Sequence, residues 1–236
     1  MLRFVVALAL LVPALALAQA VRIEEMTWTQ VRDRVAAGTT TILIPIGGTE
    51  QNGPAMVLGK HNVRAQALAD EIAKRLGNAL VAPVVSYVPE PGHIRYPGTI
   101  SISDSAFESL LEGAARSFRQ HGFRDIVLLG DHGGYRKDLA QVAAKLNREW
   151  ARTPARVDVP AGYYREMEHA GLDDTSLALA VDKSLVKSDL LAKVQPGRDG
   201  VHGDPRKANP ELGQRAMREI VETSVTEIQR LQREAR

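Results

Sequence analysis

Gly122-Phe-Arg-Asp-Ile-Val-Leu-Leu-Gly-Asp-His-Gly-Gly134 is the stretch on which the fold turns. Within it Asp125–Leu129 is a run of apolar and β-branched side chains, bracketed by Gly122 and Gly130, that passes directly into Asp131-His132-Gly133-Gly134. A short apolar run stopped by glycine reads as a buried strand. A polar, glycine-rich turn at its carboxyl end is where open parallel sheets build their sites.

The same alternation continues on both sides. Upstream, Thr40–Ile46 is a second β-branched run, ended by Gly47-Gly48, and Ala79–Val85 is a third. Between them His61–Leu76 repeats Val63, Ala67, Leu68, Ile72 and Leu76 at helical spacing. Val21–Gly38 reads as a lead-in and an amphipathic helix capped by Thr27, and Ser105–His121 as a further helix. Downstream follow a helix over Leu139–Trp150, a strand over Arg156–Val159 and a helix over Pro210–Arg233. Strands alternating with helices of ten or more residues predict a three-layer α/β/α fold with a mostly parallel central sheet. No repeat or linker divides residues 21–236, which read as one domain.

Residues 1–20 stand apart. Arg3 precedes an apolar run, Phe4–Leu17, and Ala16-Leu17-Ala18 is a small-x-small pattern. That is the composition of a secretory signal peptide, and the run is too short for a membrane span. Periplasmic or secreted location is therefore expected, with no stable membrane insertion. With no Cys in the chain, the exported protein folds without disulfides. The 30 basic residues are interspersed with 28 acidic ones for a net charge of +2, which gives nucleic acid no basic footprint. Gly130–Gly134 lacks the Lys-Ser/Thr of a phosphate loop, and no G-x-S-x-G elbow offers a nucleophile.

Two polar loops leave apolar strands. One is Gly47-Gly-Thr-Glu-Gln-Asn-Gly-Pro54, the other Asp131-His-Gly-Gly134. They make Glu50 and His132 candidate metal ligands or acid/base groups, or else merely solvated loop residues.

Five blocks decide between these readings. Glu50-Gln-Asn-Gly-Pro54, Tyr96-Pro-Gly-Thr-Ile-Ser101, Asp131-His-Gly-Gly134, His169-Ala-Gly-Leu-Asp-Asp-Thr-Ser176 and Gly200-Val-His-Gly-Asp-Pro205 resemble, in order and spacing, successive blocks of the creatininase (creatinine amidohydrolase) family. The resemblance runs from about Glu24 to the C-terminal helix. It implies a layered α/β/α fold, a metal site, a homo-oligomer, and hydrolysis of a C–N bond in a small linear or cyclic amide.

Carried over position by position, the resemblance both holds and departs. Glu50 matches the family's Glu, but Asn52 and Ala55 stand where the family has His, and His61 stands where it has Asp. His132 is kept, Asp174 replaces a Glu, and Glu168 and His169 occupy the family's Glu-His position beside the substrate. A carboxylate can bridge two metals, whereas an imidazole offers one lone pair to one. His61 in place of the Asp therefore points to a single metal held by Glu50, His61 and His132. Two imidazoles, a carboxylate and an open fourth position suit Zn²⁺, with Mn²⁺ the second possibility. The resemblance makes Glu168 a candidate further ligand or general base and His169 a candidate proton donor to the leaving nitrogen. Asn52 is expected to close its turn, Asp131 either to orient His132 or to serve the turn, and Tyr96 to line the pocket mouth. His93 and His202 fall in family-like segments, with a substrate-facing or a structural role. The alternative to a hydrolase is an exported pseudoenzyme or ligand-binding protein on the same fold with the metal lost.

Overall fold

The computed structural model describes residues 20–234. The expected signal peptide lies outside them except for Ala20, and no helix among the described residues is long and apolar enough to cross a membrane. Four strands, β1 (Thr41–Ile46), β2 (Ala79–Val81), β3 (Asp125–Gly130) and β4 (Arg156–Asp158), form one sheet in the order β2-β1-β3-β4, with every pairing parallel. The helices are α1 (Trp28–Ala36), α2 (Lys60–Leu76), α3 (Asp104–Gln120), α4 (Arg136–Glu149), α5 (Leu172–Val181), α6 (Ser188–Leu191) and α7 (Pro210–Glu234).

The strand period sorts the core into two layers. Ile42, Ile44, Ile46, Ile126 and Leu128 face one way, against Phe107 and Leu111 of α3 and Leu139, Val142 and Leu146 of α4. Their alternates Leu43, Val127 and Leu129 face the other way, against Leu68 and Ile72 of α2 and Ile220 and Ile228 of α7. With both faces covered, β1 and β3 need apolar residues at successive positions. Each fully buried Leu or Ile contributes roughly 1.5–3 kcal/mol. A smaller cluster, including Met56, Leu185, Val186 and Val201, packs beneath the loops at the carboxyl end.

Two expectations shift at this level. β2 ends at Val81 rather than Val85; the Ala82 N–H still donates to the Leu43 carbonyl at 2.8 Å, and Val85 rejoins by donating to the Pro45 carbonyl at 2.9 Å. Pro45 itself sits in a central strand where proline would ordinarily break the ladder. Its nitrogen faces the side on which β2 has already ended. The second shift is α5, which sequence reading leaves as a motif block. It packs closely on α7, and a Cβ on Gly213 would run into the backbone of Ser176.

β1 connects through α2 to β2 on one side, and β2 through α3 to β3 on the other, so the crossovers part company between β1 and β3. The carboxyl ends of those strands flank the crevice where an open parallel sheet places its ligands.

Candidate metal centre

The first site loop follows β1 and is pinned from α2. Asn62 accepts from the Gly48 N–H at 2.9 Å and donates to Thr49 Oγ1 at 3.1 Å. Gly47 must be glycine, since a Cβ there would meet the Asn62 backbone. Asn52 closes the loop, donating to the carbonyls of Glu50 (2.9 Å) and Val57 (3.0 Å). The second loop is locked to the first by Tyr135. Its buried hydroxyl lies 2.8 and 2.7 Å from the Ile46 and Gly47 carbonyls and accepts from the His132 N–H at 3.1 Å.

These locks place the Glu50 carboxylate, which is fully buried, among four imidazoles. His61, on the first turn of α2, brings Nε2 to 2.8 Å from Glu50 Oε1, and His132 Nε2 lies 3.8 Å from the same oxygen. On the other side His93 Nδ1 is 2.6 Å from Oε2, and His169 Nδ1 is 3.6 Å from Oε1. One ligand atom each from Glu50, His61 and His132 fall within 4.8 Å of one another, as do those of Glu50, His93 and His169.

The donor set of the first group fits a divalent cation. Tetrahedral zinc with bonds of 2.0–2.1 Å separates its ligand atoms by roughly 3.3 Å, and 2.8 and 3.8 Å bracket that value. Each imidazole also has its other nitrogen against a carboxylate: His61 Nδ1 is 2.7 Å from Asp131 Oδ2, and His132 Nδ1 is 2.7 Å from Glu90 Oε1. Without a cation the His61 Nε2–H bonds to Glu50. A proton kept on Nδ1 instead would free Nε2 to ligate, the arrangement that orients metal-binding histidines. Arg64 Nη2 also lies 3.1 Å from His61 Nδ1. The N–H of Gly134 also lies 3.1 Å from Nδ1 of His132.

Beneath this group lies a chain of buried ion pairs. Arg64 donates to Asp131 at 2.8 and 3.0 Å and to Asp174 at 2.6 Å, and Lys60 pairs with the other oxygen of Asp174. All four side chains are almost wholly buried. Burial alone would push the Asp174 carboxyl up, but Lys60 and Arg64 hold it well below the usual carboxylate range. Burial likewise opposes ionisation of Glu50, and hydrogen bonds from His61 and His93 hold its carboxyl far below that range. His132 is raised, since Glu90 and Glu50 outweigh its burial. His169 is lowered to about 3, by burial first and then by the charge of Lys60.

The residues singled out from sequence divide clearly. Glu50, His61, His132 and His169 come together. Asp131 is in the cluster but orients His61, not its neighbour His132. Successive residues leaving a strand point to opposite sides, and Glu90 takes the position beside His132. Asp174 lies at the base, on Lys60, Arg64 and the Ala170 N–H at 2.8 Å, where it touches none of the imidazoles. Ala170 is held at φ +52, an uncommon conformation for a residue with a Cβ, directly after His169. Tyr96 is half-buried, its ring centre 6.4 Å from that of His93 and its hydroxyl accepting from Arg95 at 3.0 Å. Glu168 is exposed, with its side chain against Gly203 rather than in the cluster. Sequence reasoning missed Glu90, Lys60 and Arg64 and left His93 open. The Glu90-Pro-Gly-His93 turn was the available signal, a tight turn carrying two ionisable groups.

A cavity of about 100 Å³ opens beside the cluster, walled by His61, His132, His169, Tyr164, Arg165 and Met167 among others.

Comparison with known proteins identifies the family. A family model described as creatinine amidohydrolase matches residues 24–228. The mycofactocin precursor peptide peptidase of Mycolicibacterium smegmatis is 31% identical over 214 residues, covering 81% of this chain and 85% of that protein. Creatinine amidohydrolase of Pseudomonas putida is 27% identical over 208 residues, covering 76% of this chain and 79% of that one. Among solved structures, a manganese creatininase superposes with a TM-score of 0.77 at 25% identity, covering 90% of this chain and 99% of its own. A mutant creatininase of Zn-Zn type superposes with a TM-score of 0.76 at 25% identity, covering 91% and 99%. The chain belongs to the creatininase family of hydrolases.

Proposed function

We propose that the protein hydrolyses the C–N bond of a small linear or cyclic amide, or of an amide at the end of a short peptide, with one divalent cation held by Glu50, His61 and His132. The carrying observation is that two imidazoles flank one buried carboxylate, each with its second ring nitrogen against another carboxylate. Zinc is the preferred ion and manganese the second. A cation held there supplies Lewis acidity, polarising a carbonyl and acidifying water.

The chain's own residues handle the protons. Amide hydrolysis needs a proton taken from water and one delivered to the leaving nitrogen. His169 suits both duties in sequence. Its imidazole is neutral at pH 7, and Nδ1 is directed toward Glu50. It accepts a proton at Nδ1 first and passes it to the nitrogen afterwards, so it becomes the proton donor only within the cycle. Glu168, at the exposed rim, leaves the general-base role to His169 and is placed to meet substrate from the solvent side. Asn52 and Tyr135 keep the two loops in register, and Tyr96 borders the entrance near His93. The cavity of about 100 Å³ favours a small substrate group. Export is part of the proposal, supported by Arg3, the Phe4–Leu17 run and Ala16-Leu17-Ala18. A homo-oligomer is proposed from family membership.

The test is a panel of creatinine, simple lactams and short peptides, offered to metal-stripped and zinc-restored protein. At least one should be cleaved by the restored protein, and neither the stripped protein nor Glu50→Gln should cleave it. Cleavage that survives stripping, or survives Glu50→Gln, contradicts the reading.

A further inference from the structure

We propose that the far side of Glu50 is a second divalent-cation position, formed by Glu50, His93 and His169, with His202 able to complete it. It rests on the reading above in one respect, that Glu50 serves both positions.

Glu50 has two carboxylate oxygens, enough lone pairs for two cations. Oε1 takes His61 at 2.8 Å, while Oε2 faces only His93 among the four imidazoles, at 2.6 Å. His169 Nδ1 stands 3.6 Å from Oε1, beyond a good hydrogen bond. The two nitrogens lie against different oxygens of Glu50, so a cation between them would draw on the carboxylate as a whole. The rings of His93 and His169 are 4.4 Å apart between centres, tilted by 42°, so their nitrogens converge on one point beside Glu50.

The second ring nitrogen of His169 has the partner that such a ligand needs. Its Nε2 lies 3.0 Å from both the Gln51 carbonyl and the Gln51 side-chain nitrogen, and in the tautomer that donates to the carbonyl Nδ1 is free for a cation. His202, an exposed residue, donates its backbone N–H to the His169 carbonyl at 3.0 Å. Its ring centre is 5.5 Å from that of His169 and 6.3 Å from that of His93, within reach by a rotamer change. His61 and His132 each have their second ring nitrogen against a carboxylate, whereas that of His169 lies against a carbonyl, so the ion on the His93 side should bind more weakly.

None of these three histidines belongs to the group that holds the first cation. Filling the second position also occupies Nδ1 of His169, the atom that carries the proton in the proposed hydrolysis. Excess zinc should therefore inhibit.

The experiment is zinc titration of metal-stripped wild type by equilibrium dialysis with elemental analysis, run beside His93→Ala, His93→Gln, His169→Asn, His202→Ala and His61→Ala. Circular dichroism and a melting curve report folding of each. The expected result is two zinc per chain in two affinity classes. The His93 and His169 variants should each lose the weaker one alone, and His202→Ala should weaken it by about tenfold, the size of effect typical of a supporting group. Saturation of wild type at one zinc, lost in His61→Ala and kept in His93→Gln, overturns this proposal and leaves the first site standing. One zinc lost in His93→Gln and kept in His61→Ala supports it and overturns the first site instead. No uptake at all overturns both.

Discussion

The two halves of the centre differ in how their charges are satisfied. On the Lys60 side, Asp174, Arg64, Asp131 and His61 form an unbroken series of buried pairs, each side chain at most 5% exposed. On the His93 side, His93, His169 and His202 gather at partial exposure, and of their ring nitrogens only those facing Glu50, Glu90 and Gln51 have a polar partner among the described residues. A buried charge left without its partner is strongly destabilising, so the first half must stay assembled whatever the ligand. The second half is free to exchange partners. The contrast assigns fold support to the ion pairs beneath His61 and freer exchange of partners to the His93 side, and it can be tested from both.

The largest effect belongs to the buried half. Arg64→Met strands Asp131 and Asp174, and it should cost about 3–5 kcal/mol. That is a fall of roughly 10 °C in Tm at 2–4 °C per kcal/mol for a chain this long. A loss under about 1 kcal/mol would mean the ion pairs are not a structural unit.

Next comes pH, where the open half should dominate above the carboxylate range. The His169 imidazole is lowered to about 3 in the fold against 6.5 unfolded. Between those values the unfolded chain binds the proton and the folded chain does not. His169 should therefore withdraw a few kcal/mol of the metal-free protein's stability as pH falls from about 6.5 toward 3, against an opposite contribution from Asp158, which burial raises to about 6. His169→Asn should flatten that slope. Asp174 behaves differently. Its carboxyl is depressed in the fold, so its contribution is present above the unfolded value near 3.8 and is lost only below it. Denaturation curves of wild type and His169→Asn at pH 4 and 7 separate the two; identical slopes would contradict the assignment.

Tyr135→Phe probes the seam between the halves. It removes the hydroxyl that joins both loops and should cost about 1–3 kcal/mol, measured by urea unfolding. The smallest effect is expected at the rim. Glu168→Gln should change stability by no more than about 0.5 kcal/mol, as for exposed residues generally. A larger change by the same measurement would place Glu168 in the fold rather than at the entrance.

Much of the architecture is legible before any coordinates are seen. β1 and β3 are buried on both faces and so read as continuous apolar runs, and α3 and α7 carry clear stripes. α5 does not, because Leu177-Ala-Leu-Ala-Val181 is apolar on all sides and shows no helical period. α2 is legible as a helix but not in its orientation. Val63, assigned to its apolar face, is 40% exposed, while Lys60 and Arg64 are buried. Charged residues count against burial until their partners are known, and Asp131 and Asp174 lie 67 and 110 residues away from Arg64. The chemistry of Glu50, His61 and His132 is visible as residue type in a family-like pattern. The positions of Glu90 and His93 are not, because long-range placement of a turn leaves no local signature.

The central claim is that Glu50, His61 and His132 hold a divalent cation. The direct measurement is anomalous diffraction at the zinc edge from crystals of zinc-loaded protein. The account predicts a peak bonded to Glu50 and to the Nε2 atoms of His61 and His132, absent in Glu50→Gln crystals. Loaded crystals in which His61 keeps its hydrogen bond to Glu50 and no zinc lies between these two and His132 would contradict it.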